Sequence, residues 1–114
     1  MFVQSAVPIV EELSTSQVDW LEKLSKCESN GSTTIRVLDT NKQFSTGLYQ
    51  FQDLTFLNYG KKYGLVATST LKAEPLIYDG ELQTKIAHKM LKDGGEGHWL
   101  NCVRIMKLGK YPKE

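Results

Sequence analysis

The stretch from Leu24 to Phe51 constrains this chain more than any other, because its periodicity changes twice. Leu24-Ser25-Lys26-Cys27-Glu28-Ser29-Asn30-Gly31 reads as the end of an amphipathic helix. Asn30 and Gly31 both tolerate left-handed backbone and can stop it, which leaves Glu28 in or just after the last turn. Thr33 to Leu38 is rich in β-branched residues, Asp39-Thr40-Asn41-Lys42 is a turn candidate, and Gln43-Phe44-Ser45 can return as a second strand. A hairpin of this size is marginal alone and has to lean on helices. Ser45-Thr46-Gly47-Leu48-Tyr49-Gln50-Phe51 then reads as a glycine turn followed by an aromatic, amide-bearing segment.

Helical patterns flank this stretch. Thr15 to Asp19 is a helix start, with Ser16 as the expected cap and Asp19 supporting the first turn. Trp20, Leu24, Cys27 and Gly31 follow at helical spacing, with Leu21 beside them, for a helix of about three turns. Asp53 is placed to cap a helix from Leu54 to Tyr63, with Leu54 and Leu57 on one face, and Gly64 is its natural stop. Leu65 to Tyr78, with Pro75, reads as a loop. Asp79 opens a strong helix in which Leu82, Ile86 and Met90 recur every four residues, ended by Gly94-Gly95. A last helix starts near Gly97-His98 and carries Trp99, Cys102, Val103 and Met106. Met1 to Ser14 reads as an N-terminal arm and Lys107 to Glu114 as a frayed tail. The expectation is an α+β fold, mostly α-helical, as a single domain over residues 1–114 with a small hairpin after the first helix.

Composition narrows the function classes. The chain has 114 residues and a net charge of +1, enough for one core and too little charge to favour nucleic acid or an acidic membrane. No apolar run is long enough to span a bilayer, so no membrane insertion is expected. Val7-Pro8-Ile9-Val10 lacks the length and basic leader of a signal peptide. The histidines, His88 and His98, have no metal-ligand spacing, and no GxSxG elbow accompanies them. Neither a metal nor an organic cofactor is expected. Cys27 and Cys102 are either two buried thiols or one long-range disulfide.

Two short motifs carry a resemblance. Glu28-Ser29-Asn30-Gly31 at a helix end, followed by Gly47-Leu48-Tyr49-Gln50, resembles the catalytic core of the lysozyme-like superfamily of goose-type lysozymes and soluble lytic transglycosylases. The likeness spans Val18 to Cys102 and includes the later Asp79…Gln83…Ala87…Met90…Gly94…Trp99 helix pair. It implies a lysozyme-like domain that cleaves peptidoglycan at the β-1,4 bond between N-acetylmuramic acid and N-acetylglucosamine. In that family one Glu protonates the leaving oxygen. As a transglycosylase it then takes a proton from the sugar's own 6-hydroxyl, leaving a 1,6-anhydro end. Carried onto this chain, Glu28 is the acid and base, and Ser45, Gly47, Tyr49 and Gln50 line the cleft. The implied partner is the glycan strand, met by a monomer in an extracellular, periplasmic or virion-associated setting.

The residues supply their own reasons. An acid that works near neutral pH needs a raised pKa, and both a helix C-terminus and apolar burial push a carboxylate that way. The plainer fate of Glu28 is a solvated surface residue in a structural helical domain. A non-catalytic glycan- or protein-binding module with the same fold is the other alternative. Asp39 could face Glu28 across a cleft or be only a turn former, while Asp53 and Asp79 are better explained as caps. Most of Tyr49, Phe51, Phe56, Tyr59 and Tyr63 are expected in the core, with one or two lining a groove. Cys27 and Cys102 each sit on the apolar stripe of a helix. The oxidising setting of a wall enzyme favours a Cys27–Cys102 disulfide, which would bring His98 and Trp99 near the cleft floor.

Overall fold

The structure, a computed structural model, describes residues 7–114, so the first six residues of the expected N-terminal arm lie outside it. Helix α1 runs Thr15–Ser29, longer than the three turns expected. Its cap is Ser14, not Ser16. Ser14 Oγ accepts from the Gln17 amide at 3.1 Å, and Gln17 Oε1 accepts from Ser14 N at 2.9 Å, closing a capping box. Asp19, expected to support the first turn, pairs instead with Lys23 one turn on. The stop falls where the residues require it, with Asn30 at φ 53° and Gly31 at φ 78°.

Three short strands follow: β1 (Arg36–Leu38), β2 (Phe44–Thr46) and β3 (Phe51–Gln52), antiparallel in chain order. Val37 lies opposite Ser45, and Thr46 opposite Phe51. The hairpin is therefore as expected, and the third strand is an addition that two residues are too few to announce by alternation. Helix α2 (Asp53–Lys62) begins directly from β3. Asp53 does not cap it; its carboxylate pairs with Arg36 of β1 at 3.3 Å and ties helix to sheet. Leu54 is exposed, and Phe56, Leu57 and Gly60 face the core.

A 3-10 turn at Leu76–Tyr78 leads into α3 (Gly80–Lys92), capped as expected by Asp79, whose Oδ1 accepts from Leu82 N at 3.1 Å. The expected last helix is split. A 3-10 segment covers Gly95–Trp99, and only Leu100–Ile105 is α-helix, here α4. Leu21, Leu24, Leu48, Phe56, Ile77, Ile86 and Leu91 are fully buried and form the centre of the core. Together these elements make a compact α+β domain. Cys27 and Cys102 form the disulfide between α1 and α4, with Cα atoms 5.8 Å apart.

The tail is the main correction. Lys107 to Glu114 does not fray, because Tyr111 is buried edge-on against Trp20 at 5.2 Å. Its hydroxyl lies 2.7 Å from His88 Nδ1, and its amide donates to Glu96 Oε2 at 2.8 Å. Trp20 Nε1 donates to Leu108 O and Gln17 Nε2 to Pro112 O. One buried aromatic and a few accepting carbonyls leave no periodic trace. His88, mid-helix, is structural through the same contact.

The disulfide spans a sequence separation of 75 residues. Chain entropy puts its stabilisation at about 4 kcal/mol. The double substitution Cys27→Ala with Cys102→Ala is expected to lower the unfolding free energy by about that much in a urea titration; a change under ~1 kcal/mol would show that the reduced chain is already held by other contacts.

Candidate active site

Glu28 stands in the last turn of α1, half-buried. The next residue fixes that turn: Ser29 Oγ donates to Leu48 O at 2.9 Å, joining the helix end to the loop between β2 and β3. The Glu28 carboxyl is held above its ordinary range, first by burial and second by the negative charge of Asp39. Burial is the cause expected from apolar neighbours; the second carboxylate is a push that sequence spacing left undecided.

A polar cavity of about 530 Å³ opens beside Glu28. Asp39 and Ser45 reach it from the hairpin, Gln50 and Gln52 from either end of β3, and His98, Trp99 and Asn101 from the far end of the chain. The volume is that of a small-ligand site. The expected approach of His98 and Trp99 to the cleft is therefore found, with Trp99 Nε1 donating to Tyr49 O at 2.8 Å.

Asp39 is more than a turn former. Its backbone closes the β1–β2 turn, with its amide donating to Gln43 O at 2.8 Å. Its side chain accepts from Ser45 Oγ and, at 2.9 Å, from Gln52 Nε2. These donors favour the ionised form and hold the carboxyl below its usual range. Ser45 thus lines the cavity, but its hydroxyl is engaged with Asp39 and not with Glu28.

The glycine motif divides. Gln50 lines the cavity in a left-handed backbone conformation, φ 54°, and its Nε2 donates to Gly47 O at 3.0 Å. A non-glycine residue in that region is uncommon and is held there by its surroundings. Tyr49 does not reach the cleft. It is fully buried, its hydroxyl 2.9 Å from Thr84 Oγ1, and burial pushes its ionisation well above the usual phenol range. Its contribution is the carbonyl that seats Trp99. Gly47 is also behind the cavity, not in it. At φ +84°, its missing side chain makes room for Gln83, whose Nε2 a Cβ would approach to 2.3 Å. Phe56 is core, and Phe51, also buried, lines the cavity. Tyr59 and Tyr63 are half-exposed, the first with its hydroxyl 3.2 Å from His98 Nε2 and the second donating to Asp93 at 2.8 Å.

Nothing in the sequence singles out Gln52 and Asn101, which line the cavity, or Asn41, which hydrogen-bonds Gln52. Amides at strand ends and turns are too common to stand out, and nothing local says that they converge. Among the described residues no cluster of three or more His, Cys, Asp or Glu could hold a metal ion. Comparison with protein-family models, curated proteins and solved structures finds no match to this chain.

Gly47→Val is expected to destabilise the fold by about 3 kcal/mol or more, since it adds backbone strain and displaces a fully buried amide from its partners. Denaturant unfolding checks this; an unchanged midpoint would mean that the loop relaxes without loss.

Proposed function

We propose that this chain cleaves the glycan strands of peptidoglycan at the N-acetylmuramic acid–β-1,4–N-acetylglucosamine bond, with Glu28 as the acid. One observation carries the reading: a half-buried carboxylate with a raised pKa opens onto a polar cavity of ligand size. Breaking a glycosidic bond needs a proton on the leaving oxygen, and an ordinary glutamate has mostly lost its proton at neutral pH. Burial beside Asp39 keeps more of Glu28 in the acid form. As the C1–O bond breaks, Glu28 becomes the anion that balances the developing oxocarbenium charge. Gln50 and Asn101 present amide groups suited to the hydroxyls and acetamido groups of such a sugar. The motifs around Glu28 and Gln50 support the same choice of substrate through their likeness to lysozyme-like enzymes.

The disulfide fits a protein that works in an oxidising compartment, as wall-degrading enzymes do outside the cytoplasm or on a virion. Among the described residues no helix is long and apolar enough to cross a membrane. The proposed substrate asks for no cofactor.

Glu28→Gln is expected to lower lysis of purified cell walls by 10²-fold or more, read as loss of turbidity clearing. The melting temperature should stay the same or rise slightly. A glutamate with a raised folded pKa costs stability once pH passes its unfolded value, and the amide removes that cost. Wild-type activity should fall as pH rises through the pKa of Glu28, because the acid form is then lost. Retained lysis with a large stability loss would make Glu28 structural. Wall binding without turnover by the wild type would make the chain a binding module.

A further inference from the structure

A row of side chains on α2 leads out of the cavity. Thr55 lines the cavity, and Tyr59 and Tyr63 follow it at successive turns of the same helix face. From Thr55 to Tyr63 the row runs about 12 Å along the helix. Tyr49 and Tyr111, the tyrosines this fold uses for packing, are buried. Tyr59 and Tyr63 keep part of their rings in solvent. Their planes are 23° apart and their centroids 6.1 Å apart, the spacing of an offset pair, so the rings spread into one broad apolar surface. Both hydroxyls are tied at the rim. Tyr59 Oη lies 3.2 Å from His98 Nε2, with the imidazole edge-on to the ring at 5.3 Å. Tyr63 Oη donates to Asp93 Oδ2 at 2.8 Å. Rings fixed by both helix and hydroxyl lose little freedom when a ligand stacks on them. Lys62 Nζ stands 5.7 Å from one ring centre and 5.5 Å from the other, on an exposed and flexible stem that can follow a ligand oxygen.

We propose that the Tyr59–Tyr63 surface is a second glycan-binding site, outside the cavity, on which a pyranose of the uncut part of the wall strand stacks. The inference rests on the reading of the substrate as a peptidoglycan strand, and not on Glu28 as the acid. A pyranose offers a flat face of C–H groups to the two rings. Its hydroxyl and acetamido groups meet a rim of donors and acceptors, Lys62, Asp93 and His98. One ammonium and one carboxylate leave that rim without a net sign. Such a rim suits a strand of N-acetylated sugars better than an acidic stem peptide. His98 belongs to both places, since it lines the cavity and holds Tyr59. One strand can therefore lie across both, reacting in the cavity and resting on α2. The consequence is a preference for long strands over fragments that fill the cavity alone.

The test uses the full chain carrying Glu28→Gln, so that bound strands stay intact, and peptidoglycan strands stripped of their stem peptides and sorted by length. Long strands are expected to bind more tightly than short ones. Adding Tyr63→Ala should remove about tenfold of that gain, the worth of one aromatic contact, and Tyr63→Phe should keep it. Nuclear Overhauser contacts between sugar ring protons and the Tyr59 and Tyr63 rings are the direct readout, which a tyrosine serving only to pack α2 would not give. Absence of those contacts in a strand-bound chain would overturn the inference. So would an undiminished length gain in folded Tyr63→Ala. Freed stem peptides that contact the same rings and displace the strand would overturn it in favour of a peptide site. Wall lysis by the wild type without ring contacts would sink this inference alone and leave the proposed cleavage standing. Ring contacts without lysis would do the reverse. Should Tyr63→Ala fail to fold, the ring contacts of the Glu28→Gln chain still decide.

Discussion

The side chain of Gln83 holds the parts of this molecule together. It is fully buried on α3, and a buried amide is costly unless its hydrogen bonds are made. Here they are: Oε1 accepts from Leu48 N at 3.0 Å, and Nε2 donates to Ile77 O at 2.6 Å and to Thr33 O at 2.9 Å. Those partners belong to the loop between β2 and β3, the turn before α3, and the segment entering β1. One amide therefore sets three pieces of irregular backbone against one helix. Gly47 is the condition for it, since any side chain there would occupy the space of the amide.

From that anchor the cavity follows by short steps. Leu48 O, next to the anchored amide, receives Ser29 Oγ and so fixes the end of α1 that carries Glu28. The same loop delivers Gln50 to the cavity, and β3 places Gln52 against Asp39. The remaining wall comes from Gly97 to Asn101, held by the Trp99 bond to Tyr49 O and by the Cys27–Cys102 disulfide one residue from Glu28. The buried Tyr111, through Glu96, braces this wall from behind. A carboxylate kept partly desolvated needs such rigid surroundings, because a mobile wall would admit water and return its pKa to the ordinary value.

Two local environments then separate two chemically similar groups. Glu28 is pushed towards its neutral form by burial and by a like charge, and Asp39 towards its anion by two donors. Each sits within a few residues of a turn that any sequence scan would have noted. The distinction between them lies in what the fold brings to each, hydrogen bonds from Ser45 and Gln52 for one and burial for the other.

The sequence by itself determined the local elements that dominate the fold: a helix stopped by Asn30-Gly31, a hairpin turning at Asp39–Lys42, and a helix opened by Asp79. It placed Glu28 at a helix end and both cysteines on apolar stripes, but left open whether Cys27 and Cys102 were paired, which the structure shows they are. These depend on caps, turns and periodicity, which act within a few residues. Tertiary structure alone decided the rest. It turned Tyr49 inward and Gly47 towards Gln83, moved the α1 cap to Ser14, split the last helix and tied down the tail. It also made Gln52 and Asn41 neighbours of Asp39. Each of those outcomes turns on which polar groups remain to be satisfied once the core has closed, and that is set by contacts between segments rather than within them.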